Sequence, residues 1–196
     1  MRRNWIFLFA IVSLIAFGCN KSETATSDTA TTTSTFATDT SSTTSTTGTS
    51  ASVSDADKTF MAKAAQGGMA EVALGQMAST KAASNDVKDF GNRMVNDHGK
   101  ANDELKQLAS SKGVTLPADL DAESKKASDA LSKKTGKAFD KDYISDMVKD
   151  HEKDVAEFQK ESSSAQDPDL KNWVTKTLPT LQDHLKMAKQ TAAKVK

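Results

Sequence analysis

The sequence has one cysteine, three prolines, three histidines, two tryptophans and one tyrosine among 196 residues. A lone cysteine excludes an internal disulfide. Neither sign of charge is in excess, since 26 Lys and Arg face 26 Asp and Glu. The charges are interspersed along helical faces, so no nucleic-acid footprint is present. No phosphate-cradling loop and no Ser-His-Asp order is visible, which leaves hydrolysis or redox turnover without a recognisable site. The alternation that marks strands is missing too. One long apolar run exists, and it lies at the start.

That run, Trp5 to Phe17, follows Arg2 and Arg3 and ends at Gly18-Cys19. It is too short for a permanent membrane span and has the length of a signal h-region. A small residue before a cysteine resembles the bacterial lipobox, so residues 1–18 are expected to be a lipoprotein signal peptide. Cys19 is then the acylated residue that anchors the protein to a membrane. Asn20 is not the aspartate of inner-membrane retention, so an outer-membrane lipoprotein facing the periplasm is expected, with a secreted or periplasmic protein as the alternative. Residues 19–52 are almost all Ser, Thr, Ala, Asp and Gly. They bury too little apolar surface to offset chain entropy and read as a disordered tether.

Residues 53–196 form one domain with four long helical stretches. The first runs from about Asp55 to Ser79, capped by Ser54; the second from Asn85 to Ser111, capped by Ser84 and stopped by Gly113. The third runs from Lys137 to Ser164. The fourth opens with Asp167-Pro168 and runs to about Ala193, with Pro179 inside it. Short connections make the first and last pairs antiparallel. The long connection between them has a short helix between Asp119 and Lys134. The expected fold is an all-α four-helix bundle, up-down-down-up, with one long crossover.

An internal echo organises this domain. Met94-Val95-Asn96-Asp97-His98 returns as Met147-Val148-Lys149-Asp150-His151 at a constant offset. At 100° per residue His98 and His151 fall within the apolar stripes of their helices, and His184 falls towards the edge of its own. Asp97, Asp150 and Asp183 point about 100° away, so they can reach a histidine only across helices. The first helix contributes Glu71 to the same level, among Gly67, Gly68 and Gly75. Three glycines within a helix make sense where a neighbour or a site comes close.

Gln66-Gly67-Gly68-Met69-Ala70-Glu71, the paired Met-Val-x-Asp-His segments, Lys112-Gly113-Val114-Thr115-Leu116-Pro117 and Thr177-Leu178-Pro179-Thr180-Leu181 with Asp183-His184 resemble the exported bacterial domain-of-unknown-function family 4142. The resemblance covers Val53 to Ala192 and implies a ferritin-like bundle with no established activity. Ferritin-like di-iron proteins carry a glutamate three residues before the histidine. Here those positions hold Val95, Val148 and Leu181, so the di-iron ligand set is absent.

Two readings of the histidines stay open. In the plainer one they are satisfied core residues of an envelope domain with a non-catalytic binding or stress-related role. In the other, His98, His151 and His184 hold a transition-metal ion, with Glu71 as a fourth ligand. Three imidazoles and a carboxylate suit zinc, iron or copper. Met94 and Met147, each one helical turn before a histidine, lean the choice to copper as soft ligands, although methionine there also serves as packing.

Overall fold

The computed structural model describes residues 52–195; the signal segment, Cys19 and the tether up to residue 51 lie outside the described residues. Five helices occur among them: α1 (Asp55–Lys81), α2 (Asn85–Ser111), α3 (Ala122–Ser132), α4 (Gly136–Ser164) and α5 (Pro168–Lys194). α1 opens as the sequence requires, with the Ser54 side chain accepting from the Asp57 N–H. α5 opens on Asp167, whose carboxylate accepts from the N–H groups of Asp169 and Leu170. Gly113 ends α2 in the left-handed region at φ 66°.

Three local expectations need correction. α1 runs on to Lys81, so only Ala82, Ala83 and Ser84 join it to α2. The Ser84 side chain makes no capping bond. Its place is taken from outside by Asp140, whose carboxylate accepts from the N–H groups of Ala83 and Ser84 at 3.0 and 2.9 Å. Gly136 is the first residue of α4 rather than the residue before it, with Thr135 at the cap.

Polar ties fix the direction of each helix. Asp57, in the first turn of α1, accepts from the backbone of Gln166 and Asp167 at the α4–α5 turn. Asp140, in the first turn of α4, holds the α1–α2 turn. Lys112 at the end of α2 pairs with Asp167 and Asp169 at the start of α5. α1 and α5 therefore run one way, and α2 and α4 the other, which is the up-down-down-up order. α3 belongs to the long connection, tied near its two ends to α1 through Gln66 and Lys81. Each hairpin's first helix thus caps the other hairpin's turn.

The core divides into two apolar clusters. The upper one holds Leu74, Phe90, Met94, Phe139, Tyr143 and Met147 among others. The lower one holds Met61, Leu105, Phe158, Leu170, Trp173 and Leu181, and Val53 packs into it. Between them each long helix presents one buried polar side chain at the same level: Glu71, His98, His151 and His184. A polar layer across an apolar bundle weakens it unless every member is satisfied. That layer is the feature to explain.

The glycines of α1 are not equivalent. A Cβ on Gly75 would stand 2.6 Å from the Gly91 carbonyl oxygen, and one on Gly91 would stand 2.6 Å from the Ala78 Cβ. α1 and α2 touch backbone to backbone there. A Cβ on Gly68 would meet the Asn102 amide at 2.3 Å. Gly67 faces open space, so the expectation of close packing fails at that position. Gly91→Ala is expected to lose about 1–3 kcal/mol through overpacking. Gly67→Ala is expected to gain up to about 1 kcal/mol from helix propensity. Chemical denaturation of the two variants should move the midpoint in opposite directions.

Candidate metal centre

α2, α4 and α5 each bring one imidazole to the middle of the bundle. A ring nitrogen from each of His98, His151 and His184 lies within 4.8 Å of the others. The ring centroids are 5.1 to 5.6 Å apart. His151 and His184 are fully buried and His98 is 5% exposed. His184 is therefore as deeply buried as the other two, although its angle places it at the edge of its own stripe. The rings of His98 on α2 and His151 on α4 stand against it, at 5.1 and 5.4 Å between centroids.

Each imidazole spends one nitrogen on an orienting partner. His151 Nδ1 donates to the Met147 carbonyl oxygen at 2.9 Å, the residue one turn back on its own helix. His184 Nε2 donates to Asp97 Oδ2 at 2.8 Å, across from α5 to α2. Arg93 holds the same carboxylate. Asp97 thus reaches a histidine across helices, as its angular position requires. His98 Nδ1 lies 2.8 Å from Glu71 Oε2. With His151 Nδ1 and His184 Nε2 donating, the lone pairs of those rings belong to His151 Nε2 and His184 Nδ1, and His98 Nε2 is the nitrogen not engaged by Glu71. The same three atoms are buried without any hydrogen-bond partner among the described residues.

Glu71 completes the layer from α1. Its Oε1 lies 3.4 Å from His151 Nε2, and it also has no hydrogen-bond partner. Two acceptors facing each other at that distance repel unless a proton or a cation stands between them. Burial raises the Glu71 carboxyl above its ordinary range, against the lowering effect of His151. Asp154 is raised as well, chiefly by burial and then by the charge of Glu71. Burial pushes His98 and His184 down to about 4, and it lowers His151 too. The imidazoles are therefore neutral at physiological pH, the form in which they bind metal. At Asp97 burial works upward, but bonds from His184 and Arg93 hold the carboxyl below the usual range.

This donor set fits a transition-metal ion. Metal-ligating imidazoles characteristically use their second nitrogen on a carboxylate or a backbone carbonyl, which fixes tautomer and ring angle. All three histidines have such a partner. Bonds of about 2.0–2.1 Å put tetrahedral donors about 3.4 Å apart, so the triad would close on an ion by about an ångström. Met94 and Met147 both lie in the upper apolar cluster, fully buried. The Met147 backbone, rather than its sulfur, is what the structure shows in contact with a histidine.

Two polar neighbours were not legible as site residues in the sequence. Asp154 is one turn beyond His151 on the same face of α4, and Asn102 one turn beyond His98 on α2. Their spacing of three and four residues from the histidines was the available signal. Both line a cavity that runs from the layer to solvent between the long helices.

A family model for a domain of unknown function (DUF4142) matches residues 42–191. The chain belongs to this family. Comparison with the curated proteins finds no match. Among solved structures, the fold is similar to that of CopM in the Cu(II)-bound form, with a TM-score of 0.61 at 17% identity. That alignment covers 70% of this chain and 96% of CopM. The Cu(I)-bound form of CopM aligns with a TM-score of 0.57 at 18% identity, covering 68% of this chain and 93% of the other. A silver-bound form gives 0.57 at 19% identity with the same coverage. At such identities the likeness is one of fold.

Proposed function

We propose that this DUF4142 protein is a lipid-anchored envelope protein that binds one transition-metal ion, copper by preference, in its three-histidine layer. One observation carries the reading: three neutral imidazoles bring ring nitrogens within 4.8 Å of one another, and each ring keeps one buried nitrogen without a hydrogen-bond partner. As a purely structural layer this would be costly, since each buried group left without a partner destabilises by about 1–3 kcal/mol. His98 Nε2, His151 Nε2 and His184 Nδ1 would hold the ion. Glu71 Oε1 is the adjacent carboxylate oxygen for a fourth position.

The preference for copper rests on three supports. Imidazole nitrogen suits copper and zinc, and divalent copper binds more tightly than zinc at a given site. One solved protein of similar fold, CopM, was seen with copper and with silver bound. Met94 and Met147 stand one turn from His98 and His151 and offer soft donors to a reduced ion. When bound, the ion supplies the positive charge that the facing Glu71 and His151 acceptors lack. The polypeptide supplies neutral imidazoles, fixed tautomers and exclusion of bulk water. The role that follows is holding or buffering metal rather than turnover.

The test is a copper titration of the full chain against a competing chelator, with zinc as comparison. One copper per chain is expected, weakened about 100-fold or more in His98→Ala, His151→Ala and His184→Ala. Unchanged affinity in all three variants would exclude the layer as the site. The anchor is tested separately. Cys19→Ser is expected to shift the protein from the membrane fraction to a soluble or unprocessed form, and retention of the variant on membranes would contradict lipidation.

A further inference from the structure

The histidine layer is sealed on most sides. Above it stands the upper apolar cluster, with the Phe90 ring 6.2 Å from that of His151. Two hollows lie near it among the described residues. One is the cavity, about 40 Å³, that ends on Glu71 and His98 and is lined by Asp154, Glu157 and Trp173. The other is a surface groove between α2 and α5 beside Asp97, lined by Arg93, Lys100, Glu104 and Lys176.

Their ionisable groups differ in kind. The cavity offers three carboxyl groups, Glu71, Asp154 and Glu157, against the single cation Lys63; burial raises Glu71 to about 7 and Asp154 to about 8, so each gives up its proton to a cation that binds it. The groove carries three cations against Asp97 and Glu104, and its acids are already paired with Arg93 and Lys176. A cleft lined by one sign within apolar walls concentrates the opposite ion and raises its association rate. On α4, His151, Asp154 and Glu157 follow at steps of three residues, from the buried layer outward to the partly exposed mouth. At the inner end the Glu71 side chain is only 5% exposed, and its Oε1 has no partner. The cavity has room for a few waters, enough for an ion that has lost part of its hydration shell.

We propose that Glu157, Asp154 and Glu71 form a carboxylate path by which a divalent cation enters from solvent and reaches the histidine layer. This rests on the metal reading given above. Each carboxylate oxygen replaces a water as the ion moves inward, so desolvation is divided into steps. The path governs the rate of loading, while the three imidazoles hold the ion.

The test is stopped-flow loading of the full chain with copper(II) alone, followed by quenching of the Trp173 fluorescence in the cavity wall. Asp154→Asn with Glu157→Gln is expected to slow second-order loading about tenfold or more and to flatten its salt dependence, with one copper still bound at the end point. Lys100→Glu, in the alternative groove, is expected to leave the rate within about twofold. Should the double variant fold poorly, Glu157→Gln at the mouth is expected to slow loading about threefold by itself. An unchanged rate in the acid variants, or faster loading in Lys100→Glu, overturns the path while leaving the metal site standing. Absence of saturable copper binding in the unmodified protein overturns both.

Discussion

Saturating the metal-free protein with copper raises its melting temperature by about 8–16 °C. The magnitude follows from linkage: a ligand at a thousand times its dissociation constant adds about 4 kcal/mol to the stability of the state that binds it. In a domain of this size each kcal/mol shifts the transition by about 2–4 °C. The unfolded chain carries the same histidines, but without their ring nitrogens held close together its affinity is far lower. In His151→Ala the shift is expected to vanish, because the fully buried ring from α4 is lost from the layer. The comparison is between metal-loaded and metal-free forms of one variant, so the cavity left by the substitution cancels. Equal shifts in the variant and the unmodified protein would mean that copper binds elsewhere.

Asp140→Ala is expected to destabilise the domain by about 2–4 kcal/mol, more than the loss of an ordinary helix cap, which costs about 1 kcal/mol. Asp140 is 2% exposed and accepts from two consecutive backbone N–H groups at the α1–α2 turn. Hydrogen bonds to a charged acceptor contribute about 1.5–3 kcal/mol each, and truncation leaves those donors without a partner. Asp57, 1% exposed, does the same for the α4–α5 turn, so Asp57→Ala should cost a similar amount. Ser84→Ala should cost little, since its hydroxyl caps nothing. Thermal or urea melts of the three variants rank these contributions. An Asp140→Ala melt indistinguishable from that of Ser84→Ala would contradict the reciprocal capping that holds the hairpins together.

What was legible in the sequence was local. Ser54, Gly113 and Asp167-Pro168 mark helix ends through bonds within a few residues, and the structure uses them so. His98 and His151 were readable as inward because helical period places them among Val87, Phe90, Ile144 and Met147, whatever packs against them. His184 was harder. Its angle puts it at a stripe's edge, and only the approach of α2 and α4 covers it completely. Nothing in the sequence marked Asp57 and Asp140 as the caps of distant turns, because their partners lie on the other hairpin and sequence spacing does not encode which turn arrives there. Gly67 and Gly68 are adjacent, yet only Gly68 meets a neighbour, since the side chain of Asn102 approaches one face of α1 and not the next. Cross-helix contacts of this kind are fixed by packing, which the periodicity of a single helix does not specify.

The most direct measurement is an anomalous-difference map from crystals of the copper-loaded protein, recorded at the copper edge. A single peak is expected between α2, α4 and α5, about 2.0–2.1 Å from His98 Nε2, His151 Nε2 and His184 Nδ1. A peak at any other group of side chains, or crystals of the loaded protein with no peak in the histidine layer, would contradict the account.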